Sequence, residues 1–288
     1  MAKPDWLAIT PHSTKKYDSV KQTISSLGLH TICVEGHCPN INECWDSGTA
    51  TFMVLGDRCT RGCRFCAVTK SAIGRAPDPE EPKNLAMAIK EWNLDYAVVT
   101  SVCRDDLPDQ GSGHFARCIN EVRSQSPNTV IEVLIPDFKN DYACLKRVVD
   151  AKPDVVGHNL ETVERLSAYA RDRRADYRQS IAVLKTVKEI DGTRYTKSAL
   201  MLGAGETEEE VLSTFGDLRD ADVDFLAIGQ YLRPTPHHME VKEYVHPDRF
   251  SYLKGKALEM GFLYVAAGPF VRSSYKAGEF FVRSMVQK

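Results

Sequence analysis

A chain of 288 residues with 43% hydrophobic content can bury a sizeable core, so one large α/β domain, or one with extensions, is expected, with no need of metal staples to fold. Its 37 basic and 39 acidic residues leave a formal charge of −2, which excludes the global cationic field that nucleic-acid binding usually uses. No apolar run reaches the roughly 18–20 residues of a membrane span, and the opening MAKPDWLAITPHSTKKYD lacks a secretory core, so a soluble, cytoplasmic, monomeric protein without membrane or nucleic-acid partners is expected.

The nine cysteines cannot all pair within one chain, and a reducing cytosol keeps thiols free for metals. The first group is CVEGHCPNINECW, with four residues between Cys33 and Cys38 and five between Cys38 and Cys44. An iron-sulfur cluster, a zinc knuckle completed by His30 or His37, and a metal-free cysteine-rich cap all remain open on spacing alone. TFMVLG (51–56) then reads as a strand, and DRCTRGCRFCAV follows with three residues between Cys59 and Cys63 and two between Cys63 and Cys66. A closed zinc site would need a fourth ligand, and no Cys-x-x-Cys partner follows. A cubane 4Fe-4S cluster held by three thiolates leaves one iron open to an exogenous group, which makes the odd count useful. Zinc and unrelated buried thiols are the competing readings. Gly62 suits a loop wrapped on a cluster, where backbone amides can reach sulfur.

Further along, YAVVTSV (96–102), TVIEVLIP (129–136), DVVGHNL (154–160), SALMLG (198–203) and FLAIGQYL (225–232) read as buried strands. Between them PKNLAMAIKEWN, HFARCINEVRSQ, YACLKRVVDA, SIAVLKTVKEID and TEEEVLSTFGDLRDA carry apolar residues at helical spacing. Six β-then-α units imply a parallel sheet, open or closed into a full or partial barrel, and the polar and glycine residues crowding the strand ends favour a barrel-like site. Cys103, Cys118 and Cys144 read as ordinary buried residues. Arg104 and Arg233 fit either substrate contacts or plain ion pairs, Glu206 and Thr207 also suit a helix start, and His237 and His238 read as loop residues.

The Cys-x-x-x-Cys-x-aromatic-Cys pattern, with Phe65 as the aromatic, resembles the radical S-adenosylmethionine (SAM) superfamily. CPNINECWDSGTATFMVLGDRCTRGCRFCAV, followed by VVTSVCRDDLPD, HNLETV, MLGAGETEEEV, GQYLRPTPHH and GPFVRSSYKAGE, resembles the lipoyl synthase family within it, from about residue 30 to about residue 280. VEGH before Cys38 and DQGSGHF depart from the family's usual residues, and neither removes a ligand.

The resemblance implies an α/β fold, a partial (β/α)6 TIM-like barrel over 51–235. It also implies an N-terminal extension, 1–50, carrying auxiliary-cluster cysteines and a C-terminal segment, 236–288, that closes the barrel and supplies a serine. It implies two 4Fe-4S clusters and S-adenosyl-L-methionine. Cys59, Cys63 and Cys66 would hold the cluster that cleaves SAM. Cys33, Cys38 and Cys44, with Ser274 in preference to Ser273, would hold a second cluster that gives up its sulfur. Phe65, Thr100, Ser101, Asn159, Glu161, Gly203 and Glu206 match positions that bind SAM in the family. The implied reaction inserts sulfur at C6 and C8 of an octanoyl group on a carrier lysine. The implied partners are octanoylated lipoyl carrier domains or H protein, an electron donor such as ferredoxin or flavodoxin, and iron-sulfur carrier proteins. A biotin synthase-like enzyme is the enzymatic rival, and a zinc-stabilised binding module the rival of another class.

Overall fold

The computed structural model describes residues 3–8, 14–47 and 50–274. The chain forms two compact units, one of Thr10–Arg61 and Ala67–Val155, the other of Met1–Ile9, Gly62–Cys66 and Val156–Lys288.

The first unit begins with α1 (Lys15–Ser26), β1 (His30–Thr31), α2 (Ile32–Glu35) and α3 (Ile41–Asp46). Then come β2 (Thr51–Val54), the short β3 (Arg58–Cys59) and β4 (Thr69–Lys70), α4 (Glu81–Glu91), β5 (Tyr96–Ser101), α5 (Ser112–Gln125), β6 (Val130–Leu134) and α6 (Tyr142–Asp150). Its main sheet runs β1-β2-β5-β6, antiparallel only at β1. β2 is wholly buried and β5 nearly so, which explains their continuous apolar sequences; each buried valine contributes about 1.5–3 kcal/mol. Leu85, Ile89, Phe115, Ile119, Val122, Leu145 and Val148 supply the helical side of this core. Pro82 lies in the first turn of α4, where its missing N–H costs nothing, and Asp141 caps α6 by accepting from the Cys144 amide at 2.9 Å.

The second unit contains most of β7 (Val155–Gly157), then α7 (Glu164–Ala170), α8 (Tyr177–Ile190), β8 (Tyr195–Leu202), α9 (Glu208–Asp220), β9 (Phe225–Gln230), α10 (Pro247–Glu259) and β10 (Tyr264–Gly268). Its strands lie in the order β7-β8-β9-β10, with β8, β9 and β10 parallel. Leu184, Leu200, Phe215, Leu226, Ile228 and Phe250 pack into one core. Thr207 and Glu210 form a reciprocal capping box that starts α9, so the helix-start reading of Thr207 holds. All six strands expected from the sequence are present. β1, β3, β4 and β10 are additions to them; β1 and β10 are set on β2 and β9, and β3 and β4 pair with each other.

Candidate active site

In the first unit the chain leaves β2 through two consecutive left-handed residues, Leu55 (φ 70) and Gly56 (φ 84). A non-glycine residue there costs about 1–3 kcal/mol and needs outside support. The Leu55 amide donates to Glu81 Oε2 at 2.9 Å, and its carbonyl accepts from Arg104 Nη1 at 3.3 Å. Glu81 Oε2 also lies 2.6 Å from His114 Nε2, whose other nitrogen faces Arg117 Nη2 at 3.2 Å. Arginine can only donate, so His114 carries its hydrogen on Nε2. Glu81, His114 and the buried Cys118 thiol are the one group among the described residues whose three ligand atoms lie within 4.8 Å of one another, yet the carboxylate and imidazole already satisfy each other. Their work is to fix the turn. Arg104 makes its ion pair with Asp106 at 2.8 Å, the plainer of its two readings.

Beyond that turn, β3 and β4 pair across the ends of the cysteine loop, and the Ser71 amide donates to the Cys59 carbonyl at 2.9 Å. The Thr60 amide donates to the Cys103 carbonyl at 3.0 Å, and the Arg61 amide points at Cys59 Sγ, 3.4 Å away. Arg61 is 5% exposed and forks onto two carboxylates. Nε and Nη2 reach Asp105 at 2.9 Å each, while Nη1 and Nη2 reach Asp137 at 2.5 and 2.8 Å. Despite the cost of burial, these pairs hold the guanidinium firmly protonated. Asp105 and Asp137 follow the carboxyl ends of β5 and β6, so the loop is tied where barrel enzymes place their chemistry.

The same surroundings tune Cys59. A hydrogen bond from the Cys103 thiol, together with the Arg61 amide and charge, outweighs burial and pulls the Cys59 thiol down to about 6. Cys103 is pushed up by the same bond and by burial. Cys118 and Cys144 are buried as expected, but Cys103 is a correction: it is half-buried and its thiol serves Cys59. No sequence pattern carried that signal, because the two are 44 positions apart.

Thr100 and Ser101 lie at the end of β5. The Thr100 hydroxyl donates to the Leu134 carbonyl at 2.9 Å, while Ser101 Oγ is buried with no hydrogen-bond partner. An unpaired buried hydroxyl at a strand's carboxyl end fits a group that binds there.

Cys33, Cys38 and Cys44 also belong to the first unit. Cys33 sits on α2, Cys44 on α3 and Cys38 in the turn between, where its amide donates to the Cys33 carbonyl at 3.0 Å. Burial and the neighbouring Cys38 push the Cys33 thiol up to about 11. These three sulfurs are not drawn within 4.8 Å of one another, as a single tetrahedral zinc with Zn–S bonds of about 2.3 Å would require. The all-thiolate donor set is one that suits iron-sulfur ligation. His30 faces Glu35 at 3.7 Å instead of the cysteines.

In the second unit, the segment from Gly62 to Cys66 is strapped from two directions. The Gly62 amide donates to Asp172 Oδ2 at 2.7 Å, the Asp172 amide points at Cys63 Sγ at 3.3 Å, and the Arg64 amide donates to the Ala170 carbonyl at 2.8 Å. From the other side the Met239 amide donates to the Arg64 carbonyl at 3.1 Å, and His238 Nε2 lies 3.1 Å from the Cys66 carbonyl. A carbonyl only accepts, so Nε2 carries the hydrogen and Nδ1 faces the Thr235 hydroxyl at 2.9 Å. His238 is thus more than a loop residue. Arg233 donates to the His238 and Pro236 carbonyls and stiffens the same loop. Phe65 is half-buried against the core of this unit.

Asn159 and Glu161 follow β7. Asn159 Nδ2 donates to Ser273 Oγ at 2.7 Å and to Glu161 Oε1 at 3.2 Å. Glu161 has φ 69, and desolvation pushes its carboxyl up against the pull of Arg171 and Asn159. Gly203 has φ +95, and a Cβ there would meet Gln230 Nε2 and the Glu243 carbonyl at 2.3 Å each, so only glycine fits. Glu206 accepts from the Gly203 and Ala204 amides at 2.5 and 2.9 Å. Ser274 lies half-buried in the turn after Val271, and Tyr275 and the remainder of the predicted C-terminal segment lie outside the described residues.

Residues 53–218 match the family described as Radical SAM superfamily. The chain is 50% identical to the apicoplast lipoyl synthase of Plasmodium falciparum over 99% of its own length and 69% of that protein's. It is 49% identical to the mitochondrial lipoyl synthase of Vitis vinifera over 99% of this chain and 74% of the relative, and 50% identical to that of Sorghum bicolor over 100% and 76%. The chain belongs to the lipoyl synthase family of the radical SAM superfamily. Like its family it is a sulfur-inserting enzyme that uses a 4Fe-4S cluster and SAM. Solved structures agree on the fold at low identity. The FeFe-hydrogenase maturase HydG of Carboxydothermus hydrogenoformans matches with a TM-score of 0.58 at 13% identity, over 81% of this chain and 65% of that one. Streptococcus suis SuiB, crystallised with S-adenosylmethionine, matches with 0.59 at 11%, over 79% and 54%. The fold of this lipoyl synthase family member is accordingly the α/β partial barrel. None of the described helices is long and apolar enough to cross a membrane.

Proposed function

We propose that Cys59, Cys63 and Cys66 hold the SAM-binding cluster, and that Cys33, Cys38 and Cys44 hold a second 4Fe-4S cluster completed by Ser274. When bound, the first cluster and SAM supply a carbon-centred radical that can take hydrogen from an unactivated C–H bond, and the second cluster supplies the sulfur. Acid-base groups have nothing to pull on at C6 and C8 of an octanoyl chain. The protein's own residues therefore orient and exclude. The Arg61 and Asp172 amides direct hydrogen bonds at Cys59 and Cys63 sulfur, the buried Ser101 hydroxyl and the Gly203 turn contribute to the SAM site, and the Leu55 turn fixes the loop. Phe65, Thr100, Asn159, Glu161 and Glu206 complete the proposed SAM contacts.

Ser274 is preferred to Ser273 as the serine ligand because the Ser273 hydroxyl is held by Asn159. Residues 1–50 and 236–288 are read as the extensions that bring the second cluster's ligands to the 51–235 barrel. The substrate is an octanoyl-lysine of a lipoyl carrier domain or H protein. Ferredoxin or flavodoxin would deliver electrons, and iron-sulfur carrier proteins would rebuild the second cluster. The proposed setting is the cytoplasm, with the organelles named for the relatives, apicoplast and mitochondrion, as the outcome that fractionation would otherwise reveal.

One observation carries this reading: two separate three-cysteine sets, one on a loop whose sulfurs receive the Arg61 and Asp172 amides, in a chain half identical to lipoyl synthases. Anaerobic turnover with an octanoyl-lysine peptide tests it, with a lipoyl product expected. A protein that binds zinc without sulfide, or that inserts sulfur only into a dethiobiotin-like substrate, would overturn it.

A further inference from the structure

Asp172 lies just past α7, and no motif of the sequence singles it out, yet it touches the cysteine loop twice. Its amide donates toward Cys63 Sγ at 3.3 Å, and its Oδ2 accepts from the Gly62 amide at 2.7 Å. The carboxylate is itself held. Oδ1 accepts from the Arg174 amide at 3.0 Å and from Arg174 Nε at 2.8 Å, Arg174 Nη2 reaches Oδ2 at 3.2 Å, and the Asp172 carbonyl accepts from the Ala175 amide at 2.8 Å. The Asp172 side chain is only 12% exposed, while its Arg174 partner is 38% exposed. A main-chain amide has no rotamer to adjust. Whether it stays on the sulfur depends on how firmly the residue carrying it is fixed to the loop, and here the side chain of the same residue provides that fixing.

We propose that Asp172, locked by Arg174, is a positioning residue that holds its own amide on the Cys63 sulfur and so sets the reduction potential of the cluster bound there. The inference rests on the assignment of Cys59, Cys63 and Cys66 to the SAM-binding cluster. An amide hydrogen bond to a ligating thiolate withdraws electron density from it and favours the reduced cluster. Losing the bond shifts the potential to more negative values and makes the cluster harder to reduce.

The experiment uses the full chain, reconstituted anaerobically in a background with Cys33, Cys38 and Cys44 changed to alanine, so that one cluster is observed. Redox titration followed by electron paramagnetic resonance compares that protein with Asp172→Ala and Asp172→Asn, and hydrogen exchange follows residues 62–66. Loss of the carboxylate charge by itself raises the potential equally in both variants, so the amide bond is read from Asp172→Ala lying below Asp172→Asn, in which asparagine keeps an acceptor for the Gly62 amide. Exchange at the Gly62 amide should quicken about tenfold or more in the alanine variant. A merely structural role would lower iron content without setting Asp172→Ala below Asp172→Asn. If Asp172→Ala takes up no iron, exchange at the Gly62 amide in the two cluster-free variants decides. Equal potentials, or in that case equal exchange, in the two variants overturn the inference. A parent protein with no cluster at this triad overturns the assignment beneath it, and a loaded parent with equal variants overturns only the role of Asp172.

Discussion

Arg61 makes four hydrogen bonds, two to Asp105 and two to Asp137, both almost out of water. Removing it leaves two carboxylates in a poorly solvated site, partly compensated by the half-exposed Lys139 ammonium 3.6 Å from Asp105, the Thr60 hydroxyl on Asp105 and the Lys139 amide on Asp137. Arg61→Ala should therefore cost about 3–5 kcal/mol in urea unfolding of the cluster-free chain. Arg61→Lys should recover only part of that, because an ammonium cannot fork onto two carboxylates. Cys59 gives a second test. Its thiol is drawn down to about 6 while that of Cys33 is pushed up to about 11. A lowered value means that the thiolate persists as pH falls, until the pH drops through that value. In the cluster-free protein, iodoacetamide labelling of Cys59 should rise between about pH 5 and 7 and then level off, with Cys33 unlabelled throughout. Peptide mass spectrometry reads both sites at once, and equal labelling of the two would contradict the environment assigned to Cys59.

Among the elements, β2, β5, β6 and β9 were legible because burial on both faces makes a strand a continuous apolar run, and 51–54, 96–101, 130–134 and 225–230 are such runs. The two-residue β1 and the seven-residue α7 are too short to show a period. β10, YVAAG, carries two alanines and a glycine where a strand signal would need bulk, and it is read only through its pairing with β9. Gly203 is the proposed site residue that belongs to the element scale. It ends β8 in a left-handed turn whose carbonyl accepts from the Lys242 amide at 2.8 Å and whose own amide is held by Glu206. Gly203→Ala forces both an unfavourable φ and a collision with Gln230 and the Glu243 carbonyl. The expected loss is about 1–3 kcal/mol of stability by denaturant titration, with weaker SAM binding by calorimetry. Wild-type values for both would remove Gly203 from the proposed site.

At the scale of the whole molecule, the cysteines were legible and the straps were not. Ligands announce themselves by type and spacing. Asp172 and His238 act on residues 109 and 172 positions away, and nothing local marks them. On the proposed assignment the two triads divide one reaction, which allows them to be separated. Changing Cys33, Cys38 and Cys44 to alanine removes thiols carried on α2, α3 and the turn between them, and leaves untouched the Arg61 fork and the Asp172 strap that hold the other loop. On the proposed assignment this variant should bind about four irons where the parent binds about eight. It should still cleave SAM to 5′-deoxyadenosine under dithionite, and form no lipoyl product. Changing Cys59, Cys63 and Cys66 instead should give the same iron count with no cleavage at all. Loading the parent's clusters with heavy sulfide completes the argument, since sulfur drawn from the second cluster must carry the label into both C6 and C8 of the product. Lipoyl product at the parent's rate without Cys33, Cys38 and Cys44, or unlabelled sulfur in the product, would show that the sulfur comes from elsewhere.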